Sequence, residues 1–317
     1  LKKICRRLTW PWTFAAFWSV TVLTRWLPRG VVTALARAVG SLAFRLPGVN
    51  RLVLANLEIA FPDRSAAARC EIGRRSLQSL ALAFCDFCRL LRRPERGRRR
   101  VRVDETLQRD WRAAMDEGRA VILVGGHLGN WELGNIMLNT LGFPTSVIVR
   151  RQQNRLIQWW INRARESSGG RIIHGKGAGK GSLRALRQGG TVIMLVDQNV
   201  KPHRGGVFVE FCGLPVPISR APAMFAKRAD AAIIQAHCLR QPDGDYCVTG
   251  ARLELSEVER SDEDALCRRI IHEIEQTIRS VPEQYLWAYR RFRYVPDDWQ
   301  GDRSRYPYYS KAHEPDG

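Results

Sequence analysis

Residues 121–134 read VILVGGHLGNWELG. Four aliphatic side chains run into Gly125-Gly126, the pattern of a buried strand that leaves its sheet at a glycine pair. Glycine lets the chain turn sharply there and bring its backbone close to a ligand. His127 then stands just past the carboxyl end of a strand, where open α/β sheets bind their ligands. A neutral imidazole in that place accepts a proton from a hydroxyl near neutral pH. Glu132, five positions on, is a candidate to fix the ring's tautomer and to stabilise its charged form. A core histidine bonded to a helix end is the bland alternative, but the glycine pair before the ring and the acid after it favour a base.

Working outward, Val121–Val124, Ser146–Val149, Arg171–Ile173, Thr191–Val196 and Ala232–Ala236 read as short strands. Helical patterns fall between several of them, at Asn154–Arg165 and Ser182–Gln188. The alternation predicts an α/β fold with a mostly parallel central sheet flanked by helices. Tyr246–Leu255 is a further strand candidate. Ser65 is a candidate cap for a long helix reaching about Arg93, with an apolar face from Ile72 to Leu91. Ser261 and Asp264 read as the cap and third-position acid of a last helix, whose apolar face is Leu266, Ile270, Ile271, Ile274 and Ile278 and which Pro282 stops.

Two further acids stand out. The strand at Thr191–Val196 ends on Asp197-Gln198, which places a carboxylate at a strand end as His127 is placed. Residues 207–211, VFVEF, alternate like an extended segment with Glu210 among apolar neighbours. A buried Glu210 needs a partner, for which an imidazolium is one candidate; an exposed edge position is the other reading.

The chain of 317 residues is 45% hydrophobic, enough for one large domain or a domain with an appended segment. Its 51 Lys and Arg against 31 Asp and Glu give a formal charge of +20. That excess implies an anionic partner: nucleic acid, an anionic membrane surface or an acidic protein. The 8 cysteines are scattered and lack the density of a disulfide scaffold, so they read as reduced thiols. Cys85 and Cys88 form a lone CxxC inside a helical pattern, a poor metal or redox site.

Lys2, Lys3, Arg6 and Arg7 precede the apolar stretch Trp10–Leu23. As a helix it is about 21 Å long against a hydrocarbon core of about 30 Å. Basic flanks and Trp10, Trp12, Trp18 and Trp26 suit the membrane interface, so membrane attachment is expected, with the N-terminal end on the cytoplasmic side. A buried helix is the alternative, and no clear cleavage site follows. Val31–Leu46 is a second apolar, helical stretch. The run RRPERGRRR at 92–100 holds six arginines, a solvated loop or a contact for phosphates or an acidic carrier.

Gly175–Ser182, GKGAGKGS, fails both the P-loop and the GxGxxG spacing and reads as a turn opening a helix. Neither HExxH nor GxSxG occurs.

HLGNWE at 127–132 resembles the HxxxxD/E signature of bacterial glycerolipid and lipid A acyltransferases. NLEIAFPD at 56–63, an arginine-bearing helix ending at Arg163-Ala-Arg165, VDQN at 196–199, GVFVEFCG at 206–213 and PEQYLWAYRRFR at 282–293 extend the likeness. Together these blocks make the chain similar to the lipid A biosynthesis (lauroyl/myristoyl) acyltransferase family, whose relatives include mycobacterial phosphatidylinositol mannoside acyltransferases. Gly126 before the histidine, and Glu132 as the acid, favour that branch over phosphoglycerolipid enzymes with NHxSxxD.

The resemblance implies a glycerolipid acyltransferase-like α/β fold. It implies a membrane-associated helical segment at 1–48, an acyltransferase domain at 49–298 and a polar tail at 299–317. It implies transfer of a fatty acyl chain from an acyl-carrier-protein thioester, or acyl-CoA, to a hydroxyl of a lipid A precursor. His127 is then the general base, with Glu132 or Glu210 as its carboxylate. Arg165, with Arg163 as its neighbour, falls on the family's functional arginine. Backbone N–H groups at Gly129 and Asn130, or Arg165, are candidates for the oxyanion. Asp197 and Gln198 are candidate substrate contacts, and the helices at 31–46 and 77–91 candidate walls of an acyl groove. No metal or cofactor is implied. The expected place is the inner membrane, with the catalytic domain on its cytoplasmic face. Alternatives are another glycolipid or aminolipid acceptor, or a non-catalytic basic protein that binds nucleic acid or membrane; the membrane-like N-terminus argues against nucleic acid.

Overall fold

The computed structural model describes residues 10–90, 99–149, 154–175 and 177–312. The basic flank before Trp10 and most of the arginine run, residues 92–98, lie outside the described residues. Among the described residues four helices precede the first strand: α1 (Trp10–Trp26), α2 (Arg29–Arg45), α3 (Pro47–Ala60) and α4 (Ala66–Leu90). The α/β portion follows as β1 (Val101–Val103), α5 (Glu105–Asp116), β2 (Val121–Gly125), α6 (Trp131–Thr140), β3 (Thr145–Val149), α7 (Arg155–Ser167), β4 (Arg171–His174), α8 (Ala178–Arg187) and β5 (Thr191–Leu195). A hairpin, β6 (Gly206–Phe211) and β7 (Leu214–Ser219), leads to α9 (Ala221–Ala229), β8 (Ala232–Arg240), β9 (Tyr246–Arg252), α10 (Glu257–Ser261) and α11 (Glu263–Ser280). Two short strands, β10 (Tyr294–Val295) and β11 (Lys311–Ala312), pair near the end.

The central sheet has seven strands in the order β1-β9-β8-β2-β5-β3-β4. Strands β8, β2, β5, β3 and β4 run parallel, while β9 pairs antiparallel to β8 and carries β1 at the edge. The predicted strand set is present, so the fold is α/β with a mostly parallel sheet flanked by helices. Strand direction reverses once across the sheet, between β8 and β9, where a tight turn joins the two, so β9 and β1 both run against the other five. Alternate side chains of β2 feed opposite layers. Ile122 and Val124 join a core with α3, α11 and the β6–β7 hairpin, whereas Val121 and Leu123 join α5 and α6. Each fully buried aliphatic side chain of this kind contributes about 1.5–3 kcal/mol.

Local sequence explains several boundaries. Ser65 accepts from the Ala68 N–H at 3.2 Å and starts α4, as expected. The cap of α11 is Asp262, whose carboxylate accepts from Asp264 N at 2.8 Å, and not the expected Ser261. Ser261 instead closes α10, which Ser256 and Glu259 open with a capping box. The serine one residue earlier is thus already used by the preceding turn.

Helix α2 packs tightly on α4, where a methyl at Gly40 would sit 2.5 Å from the Gln78 Cα. Helix α1 crosses α4 and α7, with Phe17 against Phe84 and Trp18 against Trp160, ring centroids 6.1 and 5.0 Å apart. Among the described residues no helix is long and apolar enough to cross a membrane.

Candidate active site

Strands β2 and β5 are neighbours, and Gly125 is the register partner of Leu195. Both chains leave the sheet at the same edge, so residues equally far past that pair arrive together. They are His127 and Asp197. The Asp197 carboxylate lies 2.7 Å from His127 Nδ1 through Oδ1 and accepts from the His127 backbone N–H at 2.9 Å through Oδ2. The two glycines before the ring make this approach possible. A methyl at Gly125 would meet the Ala236 carbonyl at 2.7 Å, and one at Gly126 the Ile274 side chain at 3.2 Å.

An ionised carboxylate only accepts, so Nδ1 carries the proton in the neutral ring and Nε2 has a free lone pair. The Gln198 amide nitrogen stands 3.1 Å from Nε2 and donates to it. Trp131 meets the ring edge-on at 4.9 Å between centroids. Burial disfavours the imidazolium, but the adjacent Asp197 carboxylate, helped by Glu132, outweighs it and raises His127 above its ordinary value. Burial opposes the Asp197 charge as well, yet His127, with a contribution from Arg291, holds that carboxylate below its ordinary value.

Sequence order offers Glu132 or Glu210 as the carboxylate serving His127. The structure puts Asp197 there instead. Glu132 lies in the first turn of α6, beyond the Gly129 turn, and forks onto Arg165 of α7: Nη2 approaches the two carboxylate oxygens at 2.5 and 2.7 Å and Nε follows at 3.2 Å. Arg165 is 9% exposed and also donates to Asn162 at 3.3 Å. Glu210 is exposed on β6, between buried Val209 and Phe211, because period-two alternation turns it outward. Arg163 is exposed as well, with its guanidinium 5.6 Å from the Trp159 ring.

Asn130 is a cap and not an open ligand contact. Its Oδ1 accepts from Leu133 N at 3.2 Å and its Nδ2 donates to the Ala83 carbonyl at 2.9 Å. The backbone N–H groups of Gly129 and Asn130, expected at the oxyanion, are also spent: they donate to Gln284 O at 2.9 Å and Cys238 O at 2.8 Å. Gly129 has φ +63°, and a methyl there would lie 2.1 Å from the Cys238 oxygen.

The segment after α11 closes the site from behind. Leu286 N donates to His127 O at 3.1 Å, and Tyr285 bridges to Leu128. Asn199, next to Gln198, donates its N–H to the Tyr289 hydroxyl at 3.0 Å and accepts from Arg291 Nη1 at 3.1 Å. Arg291 is 1% exposed and lies over the Phe211 ring. Sequence reading places this segment only by resemblance, since nothing local ties residues 285–291 to residue 127.

Two cavities meet at Trp131, Glu132 and Ile161. One, of about 420 Å³, is lined by His127, Gln198 and Arg165 among others. The second, of about 480 Å³, is apolar and runs between α1, α4 and α7, past Phe17, Val20, Phe84, Phe87 and Ile157. Leu80, Ala83, Phe84 and Phe87 of α4 line this cavity together with α1 and α7, and the 31–46 helix does not reach it. Cys88 lies nearby, and burial pushes its thiol up to about 12. Among the described residues no cluster of three His, Cys, Asp or Glu side chains could hold a metal ion.

The sequence profile for bacterial lipid A biosynthesis acyltransferases matches residues 2–294. The chain is 28% identical to a lipid A biosynthesis palmitoleoyltransferase of Escherichia coli K12 over 303 residues, 93% of this chain and 96% of that protein. It is 28% identical to the lauroyltransferase of the same organism over 287 residues, 88% of this chain and 90% of that one. A phosphatidylinositol mannoside acyltransferase of Mycolicibacterium smegmatis is 25% identical over 136 residues, 42% of this chain and 44% of that protein.

Proposed function

The chain belongs to the bacterial lipid A biosynthesis acyltransferase family and is an acyltransferase, and from that premise we propose that His127 is the general base of a transfer from an acyl-carrier-protein thioester to a hydroxyl of a lipid A precursor. The observation that carries the proposal is the His127–Asp197 contact at 2.7 Å, with His127 and the Gln198 that meets its Nε2 both lining the 420 Å³ cavity. The acceptor hydroxyl takes the place of the Gln198 amide at Nε2 and gives its proton to the ring. Its oxygen forms the new C–O bond at the thioester carbonyl. The tetrahedral intermediate then expels the thiolate, which recovers the proton from the imidazolium. Asp197 holds the productive tautomer and stabilises the imidazolium.

Arg165, fixed by Glu132, is the candidate for the charge that develops on the carbonyl oxygen, because the Gly129 and Asn130 N–H groups are already bonded. The apolar cavity between α1, α4 and α7 suits the acyl chain. A formal charge of +20 suits both an acidic carrier and an anionic lipid head group, which supports work at the cytoplasmic face of the inner membrane. A lipid A-type acceptor is favoured over a mannosylated phosphatidylinositol because the likeness to the lipid A enzymes runs along nearly the whole chain.

The experiment is to incubate the purified protein with acyl-carrier-protein thioesters of several lengths and a lipid A precursor, and to weigh the lipid. A product heavier by one acyl group is expected. An unchanged precursor with every donor, alongside acylation of a different lipid from a bacterial extract, contradicts the acceptor assignment.

A further inference from the structure

Residues 299–312 fold back across the segment that closes the active site. Strand β11 pairs with β10, Lys311 opposite Tyr294, and Ser310 Oγ donates to the Phe292 carbonyl. The Tyr309 hydroxyl accepts from Phe292 N at 3.4 Å and donates to Asn56 Oδ1. Asn56, on α3, is fully buried. Its Nδ2 donates to the carbonyls of Trp287 at 2.6 Å and Tyr289 at 2.8 Å. Carbonyl oxygens only accept, so the amide nitrogen must face these two and the amide oxygen must face Tyr309. One side chain thus spends both donors and its acceptor on tying α3, residues 287–289 and the tail together. A buried amide paired in this way is held in one orientation.

Tyr289 carries this hold to the catalytic side. Asn56 takes its carbonyl, and its hydroxyl accepts from Asn199 N at 3.0 Å. Asn199 Nδ2 donates to the Arg290 carbonyl at 2.9 Å, and Asn199 Oδ1 accepts from Arg291 Nη1 at 3.1 Å. Asn199 directly follows Asp197 and Gln198, the two side chains bonded to the His127 ring. Leu286 N donates to the His127 carbonyl. Residues 286–291 therefore grip both His127 and the stretch that carries its carboxylate, and Asn56 fixes the middle of that grip.

We propose that Asn56 is a positioning residue for acyl transfer: with Tyr309 it holds residues 287–289, so that Tyr289 and Asn199 keep Asp197 and Gln198 in register with His127. This rests on His127 as the base. Asn56 does not line the cavity at His127 and acts only through the bonded chain. The groups that face the ring are Asp197 and Glu132, with Arg291, Tyr285 and His237 around Asp197. A variant at Asn56, Tyr289 or Tyr309 keeps all five and loosens only the hold on Asp197.

The test joins kinetics to an NMR titration of the full-length protein. The His127 imidazole resonance, assigned by its absence in His127→Gln, is expected to titrate at lower pH in Asn56→Ala and Asn56→Asp than in the parent, because Asp197 no longer stays against the ring. The acid limb of the pH–rate profile is expected to move the same way. Turnover is expected to fall by about tenfold or more, with KM for the acyl donor near parental. Tyr309→Phe and Tyr289→Phe are expected to shift both readouts in the same direction by less, and they decide the matter should the Asn56 variants fold poorly. Tyr308→Phe, which keeps the ring between Arg51 and Tyr309, is expected to match the parent. Parental titration and turnover in the folded variants overturn the proposal. So does a loss of turnover with the titration and the pH limb unmoved, which makes Asn56 a purely structural tie. The titration needs no acyl substrate, so it judges the positioning separately from the proposed reaction.

Discussion

One carboxylate, Asp197, holds His127 twice: Oδ1 stands 2.7 Å from Nδ1 and Oδ2 accepts from the backbone N–H at 2.9 Å. Ring tautomer and backbone N–H are therefore held by a single side chain just past the end of the neighbouring strand. Asp197→Asn keeps the shape and removes the charge. Its expected cost is about 10²–10⁴-fold in turnover, measured as initial rate at saturating acceptor; a loss of less than a few fold, with folding intact, contradicts the role given to Asp197.

The same pair sets a pH dependence. His127 is raised above 6.5 because Asp197 outweighs the opposing effect of burial. The base works only when neutral, so the rate rises as pH climbs through a value above 6.5. Removing the Asp197 charge leaves burial to dominate, and the limb of the pH–rate profile is expected to move down in Asp197→Asn. The stability signs follow the two directions. Asp197, held below 3.8, stabilises the fold above the ordinary carboxylate range and loses that contribution as pH falls through its folded value. His127 contributes fully below 6.5 and loses its share as pH rises through its raised value. Denaturant melts of parent and Asp197→Asn are thus expected to differ most between those limits and to converge at low pH.

Glu132 and Arg165 act as a unit through their forked contact. Arg165 is nearly enclosed and Glu132 partly open to water, so breaking the pair is expected to destabilise by about 1–3 kcal/mol. Glu132→Gln and Arg165→Met are each expected to lower turnover, and the double variant to be little worse than Arg165→Met. A double-mutant cycle on turnover and melting measures the coupling; additive losses contradict a shared role.

Gly129→Ala is expected to be severe. Its φ of +63° disfavours any side chain, and the added methyl would meet the Cys238 carbonyl at 2.1 Å. Gly142→Ala, at φ +92° with open space around it, is expected to cost about 1 kcal/mol from conformation alone. Thermal melts of the two variants separate backbone strain from the clash that guards the His127 loop.

Much of this architecture is readable from residue order. The aliphatic run Val121–Val124 with its glycine pair marks β2 and locates His127, and the run at Thr191–Val196 marks β5 and puts Asp197 at a strand end. Their union is not readable, because it depends on β2 and β5 being neighbours in the sheet, a relationship set by packing of layers far apart in sequence. Proximity in sequence favours Glu132 for the same reason that it misleads: the Gly129 turn swings α6 away, and the Glu132 side chain finds Arg165. Glu210 illustrates the opposite case. Alternation in VFVEF already states that 209 and 211 face one way and 210 the other; only the direction of the core is missing. Nothing local shows that the backbone donors of Gly129 and Asn130 are occupied, because the carbonyls that claim them, at Gln284 and Cys238, lie more than a hundred residues on.

The most direct measurement is a comparison of parent and His127→Ala in the purified acyl transfer reaction, read by mass of the lipid A precursor. His127 as general base requires that the parent add one acyl group and that His127→Ala, folded and still able to bind the acyl-carrier-protein donor, lose nearly all of that product. Acylation by His127→Ala at close to the parental rate would contradict it.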